Sequence, residues 1–357
     1  MKATSSRGLV SEHRRFIGMD GDLVATLPAF ADDPAELVKL YRAMVLTRSF
    51  DAKAVALQRT GRLGTYASSL GQEAVAVGVG SAMSPEDVLV PSFREHGTQL
   101  WRGTTPVELL LYWGGDERGS CFSGPTQDFP VSIPVGSHAP HAAGVALAFK
   151  LRRERRVAVC MFGDGATSKG EVAEALNIAG VWNLPVVFVV SNNGWAISVP
   201  VARQTAAATL AQKAVAAGII GEQVDGNDVI AVRDTMERAL NRARAGSEPT
   251  LIEAVTYRLA DHTTADDAGR YRDDTEVSRR WRDEPVARLR QYLIRMGAWH
   301  KEDEEHLLAE VAQTVDKAVE QYLATTAQPM ATIFDFTYAT LPTDLVEQRS
   351  AALAAES

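Results

Sequence analysis

The strongest constraint on the fold lies in the middle of the chain, over residues 157–198. Val157-Ala158-Val159-Cys160-Met161-Phe162 is an apolar run of the kind that forms a strand buried on both faces. Gly163-Asp164-Gly165 ends it. Ser168 stands three residues before Glu171, the capping-box spacing, and predicts a helix start. Val172, Ala175, Leu176 and Ala179 follow at helical spacing and give that helix one apolar face. Gly180 and Pro185 bracket its exit. Pro185 to Val190 is a second apolar run, closed by Ser191-Asn192-Asn193-Gly194. A strand–helix–strand unit crosses over with a right hand, so its two strands are parallel. The chain is thereby committed to an α/β fold, and Asp164 and Asn193 both fall at carboxyl ends of strands, the edge where such sheets bind ligands.

If the two strands are neighbours they lie about 4.8 Å apart. A carboxylate and an amide oxygen at that edge can meet on one hard cation. Magnesium takes oxygen ligands at about 2.0–2.1 Å and commonly completes its shell with phosphate oxygens. Gly163 and Gly165 let the backbone approach such a phosphate, and the helix beginning near Ser168 turns a positive dipole end toward it. Asp-Gly or Asn-Gly alone is an ordinary turn dipeptide. Both together, each ending a buried strand, point to a metal and phosphate site.

Gly163-Asp164-Gly165 followed at a distance by Asn192-Asn193 resembles the thiamine diphosphate motif. The flanking Ala166-Thr167-Ser168 and Asn193-Gly194-Trp195-Ala196-Ile197-Ser198 are similar to the alpha subunit of the 2-oxo acid dehydrogenases, the decarboxylating component of the pyruvate and branched-chain complexes. The resemblance runs from roughly Leu37 to Leu345. It implies the thiamine diphosphate-binding fold, an α/β fold with a mostly parallel doubly wound sheet flanked by helices and extra helices at both ends.

The resemblance also implies a site. Thiamine diphosphate and Mg2+ would be the cofactors, with Asp164, Asn193 and the Trp195 carbonyl on the metal and Gly163, Gly165 and Ala166 beside the cofactor. Relatives carry a Tyr-Arg pair that holds the diphosphate. Arg94 matches the arginine, whose planar fork gives two parallel charge-assisted bonds to phosphate. Phe93 departs from the tyrosine and lacks its hydroxyl. The Val135 backbone would face the aminopyrimidine ring. His262 matches a histidine that approaches the cofactor, and a histidine can move a proton near neutral pH, so it is the candidate catalytic residue. Thr263 and Thr264 stand where mitochondrial relatives carry a regulatory phosphorylation site. Tyr66 is placed at the pocket by the same likeness.

A 2-oxo acid loses carbon dioxide only if the electron pair left behind is stabilised, and thiamine diphosphate is that sink. Thiamine enzymes activate the cofactor with a glutamate against its aminopyrimidine ring. In the family that glutamate comes from a separate beta subunit, so the expected assembly is an α2β2 heterotetramer that passes its acyl group to a lipoyl-bearing acyltransferase. The small-molecule substrate is a 2-oxo acid. The 205–228 stretch leans toward pyruvate by resemblance, with branched-chain 2-oxo acids, acetoin or a non-catalytic relic of the fold as alternatives. A nicotinamide dehydrogenase is not supported, because no G-x-G-x-x-G sits between a strand and a helix with an acidic residue beyond.

The rest of the chain is read for organisation. Residues 1–33 form an N-terminal extension expected to be poorly ordered, 34–345 the cofactor-binding domain with its C-terminal helices, and 346–357 a tail. A long helix is expected over 34–60, an alanine-rich one over Thr205 to Val215, and one from Val229 to Arg244 capped by Asp228. Gly71-Gln72-Glu73-Ala74 opens another. Arg258 to Asp274 is polar and apolar-poor, so its order must come from contacts made elsewhere. His138 and His141 lack a third ligand and are read as polar residues near the cleft. Asp316-Lys317-Ala318 looks like a lipoyl attachment triplet but lies in mid-helix, where that chemistry does not occur. A net charge of −8 over 357 residues argues against a nucleic-acid partner. No apolar run reaches the ~18 residues of a membrane span. The N-terminus lacks the apolar core of a secretory signal. Cys121 and Cys160 form no Cys-x-x-Cys, and the protein is read as cytoplasmic.

Overall fold

The computed structural model of the chain describes residues 10–246 and 248–356. Strand β1 (Val10–Arg14) comes first, then helices α1 (Pro34–Arg59) and α2 (Glu73–Ala82), strand β2 (Val88–Val90), and helices α3 (His96–Trp101), α4 (Pro106–Trp113) and α5 (Ala139–Arg152). The central unit follows as β3 (Ala158–Gly163), α6 (Gly170–Trp182) and β4 (Val186–Asn192), with a small hairpin of β5 (Trp195–Ala196) and β6 (Val199–Pro200). Helix α7 (Lys213–Ala216), strand β7 (Ile220–Asp225), helix α8 (Val229–Gly246) and strand β8 (Thr250–Val255) complete the sheet, and α9 (Asp274–Arg280), α10 (Pro285–Arg295) and α11 (Lys301–Ala324) follow it.

Six strands lie in the order β1-β7-β8-β4-β3-β2, and every neighbouring pair is parallel. The expected α/β class is the class observed. The chain moves one way across the sheet from β3 to β4 and the other way from β7 to β8. Right-handed crossovers therefore put α6 and α8 on opposite faces. Ala158, Cys160 and Phe162 alternate onto the face covered by α5 and α6, where they meet Val186, Phe188 and Val190 of β4. Helix α6 turns Val172, Ala175, Leu176 and Ala179 inward, as its spacing predicts. Helix α2 packs closely on α8: a Cβ on Gly78 would meet Val232 Cγ1 at 2.6 Å.

Three expectations need correction. The helix after Asp164 is not capped by Ser168. Residues Asp164–Ser168 form a 3-10 turn in which Thr167 Oγ1 donates to the Asp164 carbonyl at 2.8 Å, and α6 starts after Lys169. The tight turn holds Asp164 at the sheet edge and uses up the residues that would have made the cap. The alanine-rich stretch 205–215 is not one helix either. Thr209 and Gln212 form a reciprocal capping box around a 3-10 turn at Leu210–Gln212, and Glu253 Oε2 accepts from Ala211 N at 3.0 Å. These contacts override alanine's helical preference and leave only α7.

Residues 1–9 lie outside the described residues, but from residue 10 the chain is no loose extension. β1 pairs with β7, and Asp228 Oδ2 accepts from the backbone nitrogens of Phe16 (2.7 Å) and Ile17 (2.8 Å). Asp228 Oδ1 meanwhile caps α8 through Ile230 N at 3.0 Å and Ala231 N at 3.2 Å, the role expected of it. The chain forms two compact units, the first ending at Ala318 and the second beginning at Val319. In the second, α12 (Thr332–Asp335) and α13 (Thr343–Glu356) are joined by an Arg349–Asp335 ion pair at 3.1 Å. Helix α13 takes in residues 346–356 of the stretch read as a tail, and residue 357 lies outside the described residues. No helix among the described residues is long and apolar enough to cross a membrane.

Candidate active site

The parallel register of β3 and β4, ending at Gly163↔Ser191, carries both Asp164 and Asn193 just past the carboxyl edge, where they line the same cleft. Phe93, Arg94, Val135, Gly163, Asp164, Gly165, Ala166, Asn193, Trp195 and His262 all line one cleft of about 200 Å³ at that edge. Every residue that the sequence nominated for the cofactor is thus brought together. Tyr66 is not among them. It is fully buried behind the cleft, its hydroxyl donating to Asp51 Oδ1 at 2.9 Å.

At one end of the cleft stand the candidate metal-binding oxygens. Asp164 is 1% exposed, and burial raises its carboxyl above the usual range. Its Oδ2 accepts from Gln204 Nε2 at 2.5 Å. Asn193 gives its Nδ2 to Gln72 Oε1 at 3.0 Å, which fixes the amide's orientation and leaves Oδ1 on the other side, where it accepts from Trp195 N at 3.2 Å. Gly194, at φ +88°, lets the chain turn tightly enough to bring the Trp195 carbonyl back to the same edge. A Cβ on Gly163 would meet nothing within 4 Å, so space lies directly in front of the strand end.

Close to these oxygens stand two buried guanidiniums. Arg94, just past β2, donates to Ser68 O at 2.6 Å, to His262 O at 2.6 Å and to His262 Nδ1 at 2.8 Å. Arg258, just past β8, donates to Trp195 O at 3.1 Å and to Ile197 O at 2.8 Å. Its buried Nε has no partner among the described residues. Burial, and then repulsion from Arg258, lowers Arg94 to about 10, and burial lowers Arg258 also. Arg94 lines the cleft and Arg258 lies against it, so two desolvated cations give this part of the site a field that favours an anion.

The 258–274 stretch takes its order from this cluster, as its composition required. Arg258 also donates to Tyr271 Oη at 2.9 Å, Tyr271 donates to Asp266, and Asp266 Oδ2 accepts from His262 N at 3.0 Å. His262 is held between Arg94 and Arg258, with Phe93 edge-on to its ring at 6.1 Å. Burial, then the two guanidiniums, pushes its pKa down to about 4. The ring is neutral at neutral pH. Both arginines donate toward Nδ1, which is therefore the acceptor, and Nε2 carries the proton. His138 gives Nε2 to the Met161 carbonyl at 2.8 Å, and no group of three His, Cys, Asp or Glu that could hold a metal occurs among the described residues.

Sequence reasoning passed over Arg258, Gln72 and Gln204 as site residues. Only Arg258 left a signal: it is a lone charge directly behind an apolar strand run, at the edge where ligands bind.

The dehydrogenase E1 component family matches residues 41–331, and the chain belongs to that family, whose members depend on thiamine diphosphate. The chain is 44% identical over 317 residues to the pyruvate dehydrogenase E1 component subunit alpha of Acholeplasma laidlawii, covering 87% of this chain and 91% of the relative. It is 46% identical over 296 residues to the 3-methyl-2-oxobutanoate dehydrogenase subunit alpha of Mycobacterium tuberculosis, covering 83% and 81%. The pyruvate dehydrogenase E1 component subunit alpha of Staphylococcus aureus is 38% identical over 323 residues, covering 90% and 87%.

Proposed function

We propose that this chain is the alpha subunit of a pyruvate dehydrogenase decarboxylating component. It works with thiamine diphosphate and magnesium in an α2β2 assembly and hands its acyl group to a lipoyl-bearing acyltransferase. The observation that carries this reading is the cleft itself: Asp164, Asn193, Trp195 and the buried Arg94 line it together, with Arg258 against the Trp195 carbonyl, on the carboxyl edge of adjacent parallel strands. Asp164, the Asn193 amide oxygen and the Trp195 carbonyl would hold magnesium, an oxygen-only set that leaves room for phosphate oxygens. Arg94 would bind the diphosphate, with Arg258 beside it. Gly163, Gly165 and Ala166 keep the strand ends low enough for close approach, and Val135 would face the ring at the mouth.

When bound, the thiazolium supplies the sink for the electron pair left by carbon dioxide. The chain's own part is placement and proton handling. His262 presents a neutral imidazole with its proton on Nε2, fixed by Arg94 and Arg258 at Nδ1, so it can hydrogen-bond a substrate oxygen from Nε2. Phe93 packs where relatives have a tyrosine and keeps the His262 ring in place without adding a hydroxyl. The two cysteines are free, which fits the reducing cytoplasm in which we place the protein.

A second reading shares every residue of the site and changes only the acid. The 46% identity to a 3-methyl-2-oxobutanoate dehydrogenase subunit supports branched-chain 2-oxo acids as substrates. The test is to co-express the chain with its candidate beta partner and follow decarboxylation with an artificial electron acceptor, thiamine diphosphate and magnesium. Preference for pyruvate over 3-methyl-2-oxobutanoate is expected, and the reverse preference would move the assignment. Asp164→Ala should abolish cofactor binding with the fold intact. Undiminished affinity in that variant would remove the metal site.

A further inference from the structure

Behind Arg94 lies a carboxylate to which the reading above gives no task. Glu95 is 3% exposed. It occupies the N-cap position of α3, yet its side chain makes no bond to that helix. It turns back instead, and Oε2 accepts from the Arg94 backbone nitrogen at 2.9 Å. The Arg94 guanidinium points away from it, to Ser68 O and to His262. Glu95 is therefore a buried carboxylate held by backbone and not clasped by the neighbouring cation. The titratable groups that interact with it are Arg94 on its own segment and Cys160 on β3, while the ring of its neighbour His96 is turned to Trp113 and Tyr66. Asp51, Tyr66 and Arg258 act one step further out, on Arg94. Burial keeps His96 neutral by lowering its pKa to about 3, and raises the Cys160 thiol, so neither carries charge. Arg94 is the one full charge beside Glu95. Burial raises the Glu95 carboxyl to about 7.

An acid in this position depends on Arg94 to stay ionised. An anion seated on Arg94 takes up that positive field and adds negative charge of its own, so the ionised carboxylate loses support on binding. We propose that Glu95 is a positioning residue for cofactor capture: it fixes the Arg94 backbone and accepts a proton from solvent when Arg94 receives a diphosphate, which makes the affinity for that anion depend on pH. The proposal rests on the thiamine diphosphate reading. By linkage, a group that gains a proton on binding favours binding where it is already protonated, so affinity falls as pH rises through the carboxyl's own titration.

The experiment uses the complex with its beta partner, stripped of cofactor. Binding of thiamine diphosphate with magnesium is followed by calorimetry near neutral pH in two buffers of different ionisation heat, which gives the protons taken up per site. Wild type is compared with Glu95→Gln, which keeps an oxygen for the Arg94 N–H and cannot titrate. Comparing the two cancels protons bound by the cofactor's phosphates and by His262. Wild type should take up a clear fraction of a proton more than E95Q. Its Kd should weaken by up to about tenfold relative to E95Q between about pH 6 and about pH 8, a tenfold change corresponding to one pKa unit. Equal uptake in two forms that both bind overturns the proposal and leaves the cofactor reading standing. Absence of binding by the wild-type complex overturns both. Should E95Q fail to fold, Glu95→Met, which also cannot titrate, takes its place in the same comparison: less proton uptake than wild type supports the proposal, and equal uptake overturns it.

Discussion

Arg94 makes three hydrogen bonds in two directions, to Ser68 O and to both the carbonyl and the ring of His262. A lysine cannot span those acceptors from one ammonium. Arg94→Lys should therefore loosen the His262 loop as well as weaken the diphosphate contact. With charge-assisted bonds worth about 1.5–3 kcal/mol each, the expected loss in thiamine diphosphate affinity is about 10- to 100-fold, read by calorimetry. An unchanged Kd would mean that Arg94 only organises the loop. His96 offers a test of a different kind. Its Nε2 accepts from Trp113 Nε1 at 3.0 Å, its ring stacks on Tyr66 at 5.2 Å, and its pKa lies at about 3. The folded value is below the unfolded one, so the stabilisation is complete above about pH 6.5 and is lost as pH falls toward the folded value. Each pH unit in that window costs about 1.4 kcal/mol. The urea midpoint should drop between about pH 6 and about pH 5, and His96→Phe, which keeps the ring, should flatten the slope. The residues Asp164, Asn193 and Arg94 were legible in the sequence because each ends a short apolar run. Gln72 and Gln204 were not, since a glutamine's role here depends on which carboxylate or amide the fold brings against it.

Elements with their own local signal are legible in the sequence. Helix α4 carries Thr105 and Glu108 in a reciprocal box, and α6 carries an unbroken apolar face. Where the deciding contacts are remote, local signals mislead. β1 exists because Val10 pairs with Glu222 and Arg14 with Val224, far along the chain, and nothing in its own residues announces a strand. The alanine-rich 205–215 stretch has helical propensity, but a bond from Ala211 N to Glu253 on β8 decides its path. Asp228 links both regions, because its two carboxylate oxygens serve four backbone donors, two in the N-terminal segment and two in α8. Loss of a helix cap alone costs about 1 kcal/mol, and leaving further buried donors unpaired adds about 1–3 kcal/mol. Asp228→Ala should thus cost about 3 kcal/mol by urea unfolding, several times the cost of Thr105→Ala. Hydrogen exchange at residues 13–17 should rise in the first variant and not in the second. Equal costs would show that the N-terminal segment is held by other contacts.

At the scale of the whole molecule, the proposed function makes the cleft half of an active site. Asp164 is the one carboxylate that lines it among the described residues, and its Oδ2 is engaged by Gln204. No carboxylate among the residues lining the cleft stands beside Val135, where the aminopyrimidine ring would lie and where thiamine activation requires an acid. The mouth is apolar and open: Val135 is 46% exposed and Ile197 54% exposed. A site that works only in a low-dielectric, water-poor setting cannot remain open on the side where its acid is missing. Both deficits are met together if a second chain closes the mouth and brings the acid with it. Purified alone, the chain should show no decarboxylation with either 2-oxo acid; assembled with its beta partner it should turn over. The physical correlate is backbone protection. On assembly, hydrogen exchange over residues 131–137 and 195–200 should slow by at least about tenfold, the response to burying a loop and the β5–β6 hairpin that solvent now reaches. Exchange that stays unchanged in an active complex would place the partner elsewhere, and the missing acid would then have to come from another part of this chain. Turnover by the isolated chain would remove the argument at its root.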